Sequence, residues 1–156
     1  MDEDEITYEK DNYWKKLDFA IQNAKHKLII GDLNAKAGKR DEESSFVVGN
    51  QGEIVRNKNG RRLINFCILN ELIIANTFYQ HKDIHNYTRE VKSKNERSII
   101  DYVLIRKRNR MDVKDVKIKR GELYSDHYLL TAKIRIKSRS EREKQKKLIQ
   151  ALNHIN

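Results

Sequence analysis

A chain of 156 residues, 38% of them hydrophobic, can bury one core and is too short for several ordinary domains. Charged residues make up 36% and the net charge is +10, an excess that favours polyanionic partners, either nucleic acid or an anionic membrane surface. A single cysteine, Cys67, excludes an intramolecular disulfide and a cysteine metal cluster.

In chain order, Trp14, Leu17, Ile21 and Ala24 recur at three- and four-residue steps and predict an amphipathic helix over residues 7–24. A short strand, 27–31, follows at once. Residues 39–58 are polar, with Gly49 and Gly52 and no sustained period, and predict a long surface loop of the kind that is more often functional than connective. Asn59 offers an N-cap, and Leu63, Phe66 and Cys67 form the stripe of a second helix ending near Glu71. Cys67 is then a buried, inert thiol. The runs LIIANT, NYTREV, SIIDYVLIR, DVKIK and YLLTAKIRIK predict further strands. Together they give an α/β fold with a mixed sheet flanked by helices.

The chain has no proline, so its turns fall to Gly, Asn, Asp and Ser. From Ser138 onward the basic run SRSEREKQKKLIQALNHIN reads as a solvated tail, 138–156, rather than a dedicated nucleic-acid arm. No apolar run reaches the length of a membrane span, and the start MDEDEITYEK is acidic, unlike a secretory or transit leader. The expectation is a soluble, intracellular chain without a membrane partner, with the nucleus as one candidate location.

Three polar clusters interrupt the apolar strands. In LIIGDLNAKAG, Asp32 and Asn34 stand one residue apart at a strand's C-terminal end and point the same way. Turn formation alone would also account for them. Asp101 lies inside the apolar SIIDYVLI, where an unpaired carboxylate is costly to bury and needs a cationic or hydrogen-bonding partner. In YSDHYLL, Asp126 and His127 precede the last strand and point in different directions if extended. A lone histidine there reads as a structural hydrogen bonder. Taken together, acids, an amide and an imidazole at strand ends match what metal-assisted attack on a phosphodiester requires.

The motifs IIGDLNAKAG, NGRRLINFC, LIIANT, IIDYVLI and SDHYLL, in this order, resemble the C-terminal half of an endonuclease/exonuclease/phosphatase (DNase-like) domain. The branch they resemble is that of non-LTR retrotransposon endonucleases and craniofacial development protein 2-like proteins. The likeness runs over residues 8–137, so that 1–137 would form the domain portion and 138–156 the tail.

The resemblance implies part of a four-layer α/β sandwich and a magnesium-dependent phosphodiesterase that cuts DNA. It gives Asp32 and Asn34 the attacking water and the scissile phosphate. Asp126 would be the acid near the metal, and His127 a phosphate contact paired with Asp101. The asparagine and glutamate that bind the metal in the family's first half have no counterpart in this chain, and Arg89 stands where the family has tryptophan. The expectation is therefore little activity from this chain alone, with self-association or a matching N-terminal half-domain as protein partners. Two other readings stay open: a noncatalytic basic module that binds nucleic acid or protein, and a phosphatase for a small substrate.

Overall fold

The structure is a computed structural model that describes residues 3–24, 27–121, 125–135, 140–141 and 143–144. Most of the tail 138–156 lies outside the described residues. The chain opens with helix α1, Glu3–Gln22, which starts earlier than its apolar stripe suggested. Trp14 and Ile21 are buried on one face, with Leu17 packed beside them. Strand β1, Leu28–Asp32, follows.

Helix α2 spans Lys58–Leu69, and its N-cap is Asn57, whose side chain accepts the Gly60 N–H at 2.7 Å. The sequence had pointed to Asn59 for that duty. Asn59 instead turns inward as a buried bracket, accepting the Trp14 indole N–H at 2.9 Å and donating to the carbonyls of Leu33 and Asn34 at 3.0 and 2.8 Å. One amide thus joins α1, α2 and the turn after β1, and its buried polar atoms are satisfied in doing so. Trp14 also packs on Phe66, with ring centroids 5.3 Å apart.

Six more described strands follow β1: β2 Leu72–Ile74, β3 Arg89–Val91, β4 Glu96–Ser98, β5 Asp101–Arg106, β6 Val113–Lys119 and β7 Leu129–Ile134. The central sheet has the order β1-β5-β2, and β3–β4 and β6–β7 form two-stranded units. Every described pairing between these strands is antiparallel.

The strand β5 is apolar on both faces because both are covered. Tyr102 and Leu104 face a core made with α1 and α2, while Val103 and Ile105 face the β6–β7 hairpin through Val113, Val116, Leu130 and Ala132. The α/β class is as expected, but where the sequence suggested a mixed sheet flanked by helices, the described pairings are antiparallel and a hairpin rather than a helix covers the second face. Cys67 is fully buried, and burial pushes its thiol above the usual range, as an inert core thiol requires.

The run LIIANT is strand only to Ile74; Ala75–Phe78 is a 3-10 turn. Asn76 makes good the lost pairing. Its side chain donates to the Asp101 carbonyl at 3.0 Å and accepts the Val103 N–H at 2.8 Å, replacing with an amide the backbone partner that β2 no longer supplies to β5.

The polar segment 39–58 is irregular, as expected, but it is anchored. Ser44, Val47 and Val48 are buried, the Val47 carbonyl accepts the Ile74 N–H at 3.0 Å, and Arg56 binds Asp41 at 2.6 Å. The Ser44 and Arg56 hydrogen bonds hold the Asp41 carboxyl down to about 2. Among the described residues no helix is long and apolar enough to cross a membrane.

Candidate active site

Register places the first two acids. β1 and β5 run antiparallel with Asp32 opposite Asp101, so one strand's last residue and the other's first meet at a single end of the ladder. Beyond Asp32 the chain turns tightly. The Asp32 Oδ1 accepts the Asn34 N–H at 2.7 Å, and Asn34 takes a left-handed φ of 44°, a conformation that asparagine tolerates.

The turn is fixed from below by Tyr102, a fully buried side chain of β5. Its hydroxyl donates to the Ile99 carbonyl at 2.6 Å and accepts the Ala37 N–H at 3.1 Å. Burial pushes this phenol well above its usual range, so it remains a neutral hydroxyl able to do both. Thr88, also fully buried, accepts the N–H groups of Ile100 and Asp101 at 3.0 and 3.1 Å. The approach to Asp101 is therefore rigid.

The segment carrying His127 is attached to β3 by backbone bonds. Glu90 N–H donates to the Asp126 carbonyl at 2.8 Å, Tyr128 N–H donates to the Thr88 carbonyl at 2.7 Å, and Arg89 and His127 form an antiparallel bridge. His127 is thereby aimed at the two acids. Its Nδ1 lies 3.1 and 3.3 Å from the Asp101 carboxylate oxygens, and its Nε2 lies 4.0 Å from Asp32 Oδ2. A carboxylate on Nδ1 favours the proton there and leaves Nε2 directed outward.

Of the five residues singled out, Asp32, Asp101 and His127 converge, each offering an atom within 4.8 Å of the others'. Asn34 lies in the turn next to them. Asp126 does not join the group, because its Oδ2 is 2.6 Å from Arg89 Nε, and that bond holds its carboxyl below the ordinary range. Sequence reasoning marked Arg89 only as a departure, read Asn59 as a helix cap, and passed over Thr88 and Asn76. Asn76 carried a signal, a lone amide ending an apolar run.

Two carboxylates and an imidazole form a donor set rich enough in oxygen to fit a hard divalent cation. The fit is sparse. Both Asp101 oxygens face His127, so Asp32 Oδ2 is the least committed donor.

The family described as endonuclease-reverse transcriptase matches residues 3–131. Two curated relatives, craniofacial development protein 2 from Tragulus javanicus and from Bos taurus, are 43% and 42% identical over 111 residues. These matches take in 70% of this chain and only 19% and 18% of the relatives, so the chain spans less than a fifth of their length. Among solved structures, the endonuclease domain of TRAS1, a telomere-specific non-LTR retrotransposon, shares the fold with a TM-score of 0.57 at 17% identity. That likeness covers 82% of this chain and 52% of the other.

Proposed function

The chain belongs to the endonuclease-reverse transcriptase family, and from that premise we propose that Asp32, Asn34, Asp101 and His127 form the part of a DNA phosphodiesterase site that handles water and phosphate. One observation carries the reading: the convergence of Asp32, Asp101 and His127 within 4.8 Å at one end of the β1–β5 ladder. The net charge of +10 supports a long polyanion over a small phosphorylated substrate.

In this reading Asp32 orients the attacking water and takes its proton, the Asn34 amide donates to a non-bridging phosphate oxygen, and the outward Nε2 of His127 contacts the phosphate. Asp101 keeps the imidazole in the tautomer and orientation that this contact needs. Asp32 and Asp101 are the carboxylates that would hold a divalent cation, magnesium by family resemblance. When bound, such an ion offsets the charge that develops on the phosphorane.

With one lightly committed carboxylate, the chain's own cation shell is weak. The full chain is expected to bind duplex DNA and to leave supercoiled plasmid at background nicking in millimolar magnesium. Magnesium-dependent nicking that Asp32→Ala or His127→Ala abolishes would show that its own donors suffice. Absence of DNA binding even at low salt would remove the nucleic-acid reading.

A further inference from the structure

We propose that Arg89 is a phosphate-binding residue of this site and that Asp126 is the residue that positions it, an inference that rests on the phosphodiester reading above. The reasoning begins with charge. Asp32 and Asp101 present two carboxylates to any incoming phosphodiester, and the Asn34 amide adds hydrogen bonds but no positive charge. A cation fixed nearby would offset that repulsion.

Arg89 is the described cation paired in register with His127. That pairing sets the two backbones side by side, so the guanidinium bound to Asp126 is held one residue along the chain from the imidazole. The guanidinium is anchored through one edge, Nε to Asp126 Oδ2 at 2.6 Å, and its side chain is 38% exposed. A guanidinium carries five N–H donors in a planar fork, and an Nε contact leaves the terminal nitrogens directed elsewhere. That geometry suits a second, phosphate partner.

Neighbouring arginines are placed differently. Arg97 and Arg120 both turn to Glu90, which also accepts the Tyr128 hydroxyl. Arg89 alone among these three is bound to the residue next to His127. The Arg89–Asp126 contact is a single short charge-assisted hydrogen bond, which fixes one edge of the guanidinium. In this arrangement Asp126 serves the site through Arg89 rather than as a cation ligand.

The test uses the full chain, a short fluorescein-labelled duplex and a chelator, with anisotropy titrations across a salt series. Arg89→Met is expected to weaken binding roughly tenfold, the scale of one charge-assisted hydrogen bond, and to reduce the salt slope by about one. Arg89→Lys keeps the slope but recovers only part of the affinity, because a point charge lacks the fork. Asp126→Asn removes a carboxylate charge as well as the anchor, so the coupling is what is read: in the Arg89→Met background it should tighten binding by charge relief alone, and in the wild-type background it should weaken binding or tighten it less, whereas an unrelated structural pair would add.

Should Arg89→Met lose its near-ultraviolet circular dichroism, Arg89→Lys and Asp126→Asn carry the comparison. Wild-type affinity and slope in whichever Arg89 variant folds, with His127→Ala still weakened, would overturn the Arg89 assignment and leave the site reading standing. No duplex binding by the wild type at low salt would overturn both.

Discussion

Asp32 and Asp101 are register partners across β1 and β5, and His127 stands between their carboxylates with Nδ1 3.1 Å from one and Nε2 4.0 Å from the other. The β1–β5 register brings the two acids together, and the backbone bonds of the His127 segment to β3 and Thr88 bring in the imidazole. A slip of one residue would send one acid to the opposite face of the sheet and dissolve the site.

The Asp101 contact fixes the imidazole tautomer. In the neutral ring the proton is expected on Nδ1, and Asp101→Asn, whose amide can donate to Nδ1, should move it to Nε2. Nitrogen NMR of histidine-labelled protein distinguishes the two forms. An Nε2–H tautomer in both proteins would mean that the carboxylate does not orient the ring.

Glu53 links pH to stability. Its side chain is only 8% exposed, and burial raises its carboxyl above the ordinary value, against the lowering effects of the Ile99 N–H and of Lys36 at 3.7 Å. A raised folded-state value means that the folded protein holds this proton more tightly than the unfolded chain. The penalty is absent below the unfolded value and grows until pH passes the folded one. Glu53→Gln keeps an acceptor for Ile99 and should raise the melting temperature by a few degrees at neutral pH, with the difference vanishing in acid below the ordinary carboxylate range. An equal difference at both pH values would contradict this.

Glycine at position 60 is required by a close approach. A Cβ there would lie 1.7 Å from the Lys36 carbonyl oxygen and 2.5 Å from its carbon, both backbone atoms. In an open helix Gly→Ala would stabilise by about 1 kcal/mol. Here Gly60→Ala should destabilise by roughly 2–4 kcal/mol, read from the urea midpoint, because the turn carrying Asn34 must move.

β1 is an edge strand whose Leu28 and Ile30 are 47% and 52% exposed. Exposed apolar edges invite pairing with another chain. Ile30→Lys should reduce concentration-dependent light scattering while changing stability by less than about 0.5 kcal/mol. Unchanged scattering would place any association elsewhere.

Much of this was legible in the sequence, for stated reasons. The stripe of α1 shows because Trp14 and Ile21 recur at the helical period, and Asp101 shows as an acid in an apolar strand that must find a partner. Other features depend on distance in three dimensions. Asn59 reads locally as a helix cap, and only the approach of Trp14, 45 residues away, turns it inward. LIIANT has the composition of a strand, yet Asn76 satisfies β5 through its side chain and releases the backbone into a turn. The ion pair of Asp126 with Arg89 forms only because β3 lies beside the segment carrying His127, which no local pattern shows.

The central claim, that a DNA phosphate sits against Asp32 and His127, is tested most directly by duplex binding in chelator with the wild type, Asp32→Asn and His127→Ala. Removing one carboxylate charge a few ångströms from the phosphate relieves about 1 kcal/mol of repulsion, so Asp32→Asn should bind about fivefold tighter, and His127→Ala should bind more weakly. Wild-type affinity in both variants would contradict the account and place the DNA on another surface.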